Sequence, residues 1–150
     1  SLDVESLFRE AMRDRYGDSA LAQHFRAFDT ICSATQDRQD AVVNMLATER
    51  LDAMIVIGGY NSSNTCNLAR ICAEKVPTFH IADPSGLVSA GEIRHRDTRT
   101  KAEVVTTAWL PSGPLTIGLT SGASTPDNLV EAVVKALTAF TAEPAVTATP

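Results

Sequence analysis

Apolar residues recur at helical spacing from the start of the chain. Val4, Leu7, Phe8 and Met12 share one face and predict an amphipathic helix over residues 3 to 15, ended by Tyr16-Gly17-Asp18. Residues 19 to 27 read as a second short helix or a connection. From Phe28 the pattern becomes strand, loop, helix, repeated. Phe28 to Cys32 is expected to be a short strand. A helix follows from about Gln36 to Arg50, with Ala41, Val42, Met45 and Leu46 inward; Ser33 and Gln36 have capping-box spacing, and Thr35 is an alternative N-cap. Met54-Ile55-Val56-Ile57 is apolar without alternation, as in a strand covered on both faces. The next helix, from about Ser63 to Glu74, turns Leu68, Ile71 and Cys72 inward, and Thr78 to Ile81 is the next strand. Residues 86 to 113 carry the weakest pattern, with Val104 to Trp109 as a strand candidate. Leu115 to Leu119 is another buried strand. Thr125 is the expected N-cap of a last helix, with Pro126 at its first position and Leu129, Val130, Val133, Val134 and Leu137 as its stripe.

Strands alternating with helices imply the α/β class: a parallel sheet of about four strands flanked by helices. Residues 141 to 150 have no periodicity and are expected to be a disordered tail. The chain opens on Ser1 in a helical pattern, and we read it as a piece of a longer protein.

Composition narrows the functions. The 150 residues carry a net charge of −5 and no basic block, which gives nucleic-acid binding little support. No apolar run approaches membrane-spanning length. Cys32, Cys66 and Cys72 lack zinc-finger spacing, and their odd number argues for a reducing compartment rather than a disulfide framework.

Three strand-to-helix loops are rich in small hydroxyl and amide residues: 33–36, 59–65 and 120–125. In an open α/β sheet such loops gather at the carboxyl ends of the strands, where helix N-termini offer free N–H groups to an anion. Phosphate or diphosphate is the natural guest. Cys32 ends a strand just before a helix, a position that favours thiolate, and so metal ligation or nucleophilic attack; a buried structural cysteine is the plainer reading. Cys72 shares its helix's apolar stripe and reads as core, and His80 as a core histidine. Cys66 lies nearer the loop, and His24 reads as a surface residue.

Four segments, taken in order, resemble the C-terminal part of the IspH/LytB family, the 4-hydroxy-3-methylbut-2-enyl diphosphate reductases, in wording closest to the plant and cyanobacterial branch. They are Asp29-Thr30-Ile31-Cys32, Ala34-Thr35-Gln36-Asp37-Arg38-Gln39-Asp40-Ala41, Gly58-Gly59-Tyr60-Asn61-Ser62-Ser63-Asn64-Thr65 and Thr120-Ser121-Gly122-Ala123-Ser124-Thr125-Pro126-Asp127. The resemblance spans about residues 3 to 139. It implies one of three similar α/β domains around a [4Fe–4S] cluster, with 1–27 the end of the middle domain, 28–140 the third domain and 141–150 the tail. It makes Cys32 a cluster ligand, Ser62, Ser63, Asn64 and Ser124 diphosphate-binding residues, and Thr35 the candidate catalytic residue, close to cluster and substrate. It implies reductive removal of the allylic hydroxyl to give isopentenyl and dimethylallyl diphosphate, with ferredoxin or flavodoxin as electron donor. The expected location is the bacterial cytoplasm, or the plastid stroma in a plant or alga. The family's other two cluster cysteines, its diphosphate-binding histidines and its proton-delivering glutamate lie upstream, with no stand-in here. The residues alone leave two other functions open: a non-enzymatic anion-binding α/β module with a structural Cys32, and a cysteine-nucleophile enzyme. No motif places His24, His80 or His95 beside Cys32 as the base that the second needs.

Overall fold

The computed structural model describes residues 10, 11, 13, 14 and 33–142. Residues 10, 11, 13 and 14 are helical, in keeping with the first expected helix. The chain divides into two units, Ser1–Cys32 and Ser33–Pro150; the architecture below is that of the second. The expected strand at 28–32, with Cys32, lies outside the described residues, as does the tail from 143.

The unit runs α1 (Ser33–Thr48), β1 (Ala53–Ile57), α2 (Ser63–Ala73), β2 (Thr78–Ile81), a 3-10 turn at Pro84–Gly86, β3 (Leu87–Ser89), β4 (Glu92–Arg96), β5 (Glu103–Thr107), β6 (Ile117–Ser121) and α3 (Asp127–Ala142). The α/β class is borne out, but the sheet is larger than expected and mixed. It has six strands in the order β3-β4-β2-β1-β6, with β5 paired to β4. β1 lies parallel to β2 on one side and to β6 on the other, whereas β3, β4 and β5 pair antiparallel. The antiparallel part occupies the stretch with the weakest pattern. Its pattern is weak because β5 exposes alternate residues and β3 has only three.

Every residue of β1 is buried, because the strand feeds two cores. Ala53, Ile55 and Ile57 point into a cluster with Phe79, Ile81, Ile93 and Val133, against which Val130, Leu137 and Phe140 of α3 also pack. Met54 and Val56 point the other way, to Val42 of α1 and Leu68, Ala69 and Cys72 of α2. A side chain in such a core contributes about 1.5–3 kcal/mol relative to exposure. Gly118 fits this packing closely: a Cβ there would lie 2.4 Å from Met54 Sδ.

Helix ends depart from expectation in small ways. α1 begins at Ser33, so Thr35 lies in its first turn rather than at the N-cap. Gln36 bonds forward to Asp40 at 2.8 Å instead of closing a capping box. The Thr125 hydroxyl donates to the Ile57 carbonyl at 3.1 Å, and α3 starts one residue beyond Pro126.

Candidate functional site

Parallel pairing sets Ile57 opposite both Ile81 and Ser121, so β1, β2 and β6 end together. The ladder runs one step further: Gly58 N–H donates to the Ile81 carbonyl at 2.9 Å, and Gly122 N–H to the Ile57 carbonyl at 3.0 Å. The polar loops after β1 and β6 therefore leave one edge of the sheet; residues 33–36 form the first turn of α1 rather than a loop.

Ser62 caps α2. Its backbone is extended, and its hydroxyl accepts from Thr65 N–H at 3.3 Å, which leaves the hydroxyl proton available to a ligand. Ser63 and Asn64 occupy the first turn and are exposed. The Asn64 amide donates to Thr35 Oγ1 at 3.3 Å, joining the first turns of α1 and α2. Thr35 itself is buried. Arg38, one turn further along α1, donates to the Ser121 carbonyl at 3.0 Å and to its hydroxyl at 2.9 Å. Ser124 is exposed on the loop that follows. Thr35 and Asn64 are thus in direct contact, and the Ser62–Asn64 turn and the Ser124 loop spring from adjacent strands. Two helix N-termini and a guanidinium give this edge an anion-binding character.

Arg38 and Thr65 also stand at this edge, though side-chain chemistry alone singles out neither. Arg38 stands inside the Ala34–Ala41 segment, but its partner Ser121 is 83 positions away. Thr65 is fully buried, and its hydroxyl has no hydrogen-bond partner among the described residues. The signal that could have found it is the pair of glycines, Gly58 and Gly122, each directly after a buried strand.

Beside this edge is a cleft of about 420 Å³, lined by Tyr60, Ser63, Cys66, His80, Arg96 and Lys101 among others. Arg96 donates to the Tyr60 carbonyl and lies over the Tyr60 ring, 5.6 Å from its centroid. His80 is the core histidine expected. Its Nε2 lies 2.9 Å from the Gly58 carbonyl, which can only accept, so that nitrogen carries the proton. Burial pushes its pKa down, with the Gly58 hydrogen bond opposing, and the ring is held neutral.

The described cysteines do not form a metal centre. Cys72 is buried, and burial pushes its thiol up to about 11, so it stays protonated. Cys66 directs its thiol to the Tyr60 carbonyl at 3.3 Å. Among the described residues no three His, Cys, Asp or Glu side chains converge as a metal ligand set.

The family model described as LytB protein matches residues 4–138. The chain belongs to the LytB family. A 4-hydroxy-3-methylbut-2-enyl diphosphate reductase of Gloeobacter violaceus is 52% identical to this LytB chain over 132 residues, which cover 87% of the chain and 31% of the relative. One of Trichormus variabilis is 48% identical over 145 residues, 95% of the chain and 35% of the relative. The solved structure of (E)-4-hydroxy-3-methyl-but-2-enyl diphosphate reductase, the terminal enzyme of the non-mevalonate pathway, matches with a TM-score of 0.50 at 27% identity. It covers 84% of this chain and 39% of that one. The LytB chain thus spans about a third of the length of the curated relatives it matches.

Proposed function

We propose that this chain is the C-terminal, diphosphate-holding part of a 4-hydroxy-3-methylbut-2-enyl diphosphate reductase, which yields isopentenyl and dimethylallyl diphosphate. The observation that carries the reading is the Asn64–Thr35 hydrogen bond. It joins two segments of the family pattern at the strand edge from which the third also leaves. In this reading Ser62, Ser63, Asn64 and Ser124 donate to the diphosphate oxygens. Neutral donors hold the anion without a metal that would compete for it, and the first-turn N–H groups of α2 add to them. Anchoring the diphosphate fixes the allylic end of the substrate by distance. Thr35, behind Asn64, orients that amide and stands nearest to it from α1.

Cys32 is the one thiolate this chain would give to a [4Fe–4S] cluster in the full-length protein. When bound, that cluster supplies electrons taken from ferredoxin or flavodoxin. The remaining ligands and the proton donor belong to the rest of the protein, and 1–27, 28–140 and 141–150 are the end of the middle domain, the third domain and a tail. Cyanobacterial relatives support a cytoplasmic location, or the plastid stroma for a plant or algal source. No helix of the described residues is long and apolar enough to cross a membrane.

The test is the full-length protein purified without oxygen and assayed with dithionite and a viologen mediator. Cys32→Ser should lose most of its iron and turnover, whereas Cys66→Ser and Cys72→Ser should keep both. Full iron content and turnover in Cys32→Ser would remove the assignment.

A further inference from the structure

The Thr65 side chain stands where two loops meet, wedged between glycines that have no room for a side chain of their own. A Cβ on Gly122 would lie 2.1 Å from Thr65 Oγ1 and 3.4 Å from its Cβ. A Cβ on Gly58, where φ is +144°, would lie 3.1 Å from the same oxygen, 3.2 Å from Thr65 Cγ2 and 2.6 Å from Thr125 Oγ1. The Ile57 carbonyl, immediately before Gly58, accepts from Gly122 N–H at 3.0 Å and from Thr125 Oγ1 at 3.1 Å. Gly58 opens the loop that leads to Ser62–Asn64, and Gly122 opens the loop that carries Ser124. The Thr65 hydroxyl is buried without a hydrogen-bond partner among the described residues, an arrangement that normally costs stability. What it contributes here is shape: its branched side chain fills the space that two missing Cβ atoms leave.

We infer that Thr65 is a positioning residue, a wedge against Gly58 and Gly122 that sets the spacing between the Ser62–Asn64 turn and the Ser124 loop, and so matches the cradle to a diphosphate rather than a single phosphate. The inference rests on the diphosphate reading above. Thr65 reaches the ligand only through its neighbours: it shapes the gap, and Ser62, Ser63, Asn64 and Ser124 fill it with donors. A wedge of this kind has a complementary-space signature. Adding one methyl on the glycine side should open the cradle, and removing the wedge should make room for that methyl.

The experiment measures the affinity of the full-length protein for inorganic diphosphate and for inorganic phosphate by calorimetry, with thermal midpoints recorded for each variant. Gly122→Ala should weaken diphosphate binding at least tenfold and phosphate binding less. Gly122→Ala combined with Thr65→Ala should recover diphosphate affinity to within about threefold of the parent. Thr65→Ala alone should weaken it three- to tenfold, and Thr65→Ser, which keeps the oxygen against Gly122 but loses the methyl against Gly58, should fall between the parent and Thr65→Ala. In turnover the losses should fall on KM rather than kcat. Unchanged diphosphate affinity in Gly122→Ala, or a loss that Thr65→Ala does not repair, overturns the wedge while leaving the diphosphate site standing. If Gly122→Ala does not fold, Thr65→Ala decides, and parent-like affinity there overturns the inference. A parent protein that does not bind diphosphate overturns the site itself, and the positioning role with it.

Discussion

Replacing Asn64 with aspartate changes charge with almost no change of shape. Asn64 is exposed in the first turn of α2, and its amide donates to Thr35 Oγ1 at 3.3 Å. Asn64→Asp keeps the shape of the side chain, and a carboxylate in the first turn of a helix is favoured by the helix dipole. Stability should therefore move by no more than about 0.5 kcal/mol, the usual range for a surface substitution. Binding should move far more. The lost donor to a charged oxygen is worth about 1.5–3 kcal/mol. The new carboxylate adds repulsion of about 1–4 kcal/mol per unit charge at 4 Å, between the limits of bulk water and a protein surface. Together these weaken diphosphate binding by at least two orders of magnitude. Calorimetry of the full-length protein with inorganic diphosphate at two ionic strengths reads both parts, because the repulsive share shrinks as salt rises. Asn64→Ala, which loses only the donor, should fall between parent and Asn64→Asp. Parent-like affinity in Asn64→Asp, with its thermal midpoint unmoved, would refute the placement of the anion at this turn.

Two further outcomes follow from the same geometry. Arg38→Met removes two hydrogen bonds of 3.0 and 2.9 Å between α1 and Ser121; the domain should lose about 1–3 kcal/mol, read as a fall in thermal midpoint of roughly 4–15 °C, and an unshifted midpoint would show the clasp to be idle. His80 and His95 both have pKa values held below the ordinary 6.5 by burial, so their stabilisation is complete above that value and is lost as pH falls toward their folded pKa values. Urea midpoints should accordingly decline below about pH 6.5, and the decline should be shallower in His80→Gln; an identical slope in that variant would assign the acid sensitivity elsewhere.

How much could be read from the residues varied along the chain for physical reasons. β1, α2 and the stripe of α3 were legible because burial on one or both sides leaves an unbroken or strictly periodic apolar pattern. The strands β3 to β5 were not. Glu92-Ile93-Arg94-His95-Arg96 places its two inward residues, Ile93 and His95, among charged ones, and β5 has Val105 exposed. β4 is held there by pairing with β5 over five residue pairs, information that lies in the partner strand rather than in local composition. The polar residues of the proposed cradle stand out in the sequence as loop chemistry. Arg38 and Thr65 do not, because each acts through a contact with a segment distant in sequence.

The two-sided burial of β1 has a consequence for how the sheet finds its alignment. A strand with one wet face rejects a one-residue slip, because the slip would drown apolar side chains and bury polar ones. Ala53-Met54-Ile55-Val56-Ile57 has no such protection, since either face is equally greasy after the slip. Here misalignment is rejected by volume. Gly118 sits under Met54, and a step either way would bring Ile117 or Leu119 into a gap that cannot take even a Cβ. At the far end Gly58 and Gly122 act as stops against Thr65 and Thr125. On this reading newly made chains choose among competing alignments with the same glycines that are proposed to shape the ligand cradle. Damage at either glycine should therefore lower the yield of correctly folded protein as well as its affinity.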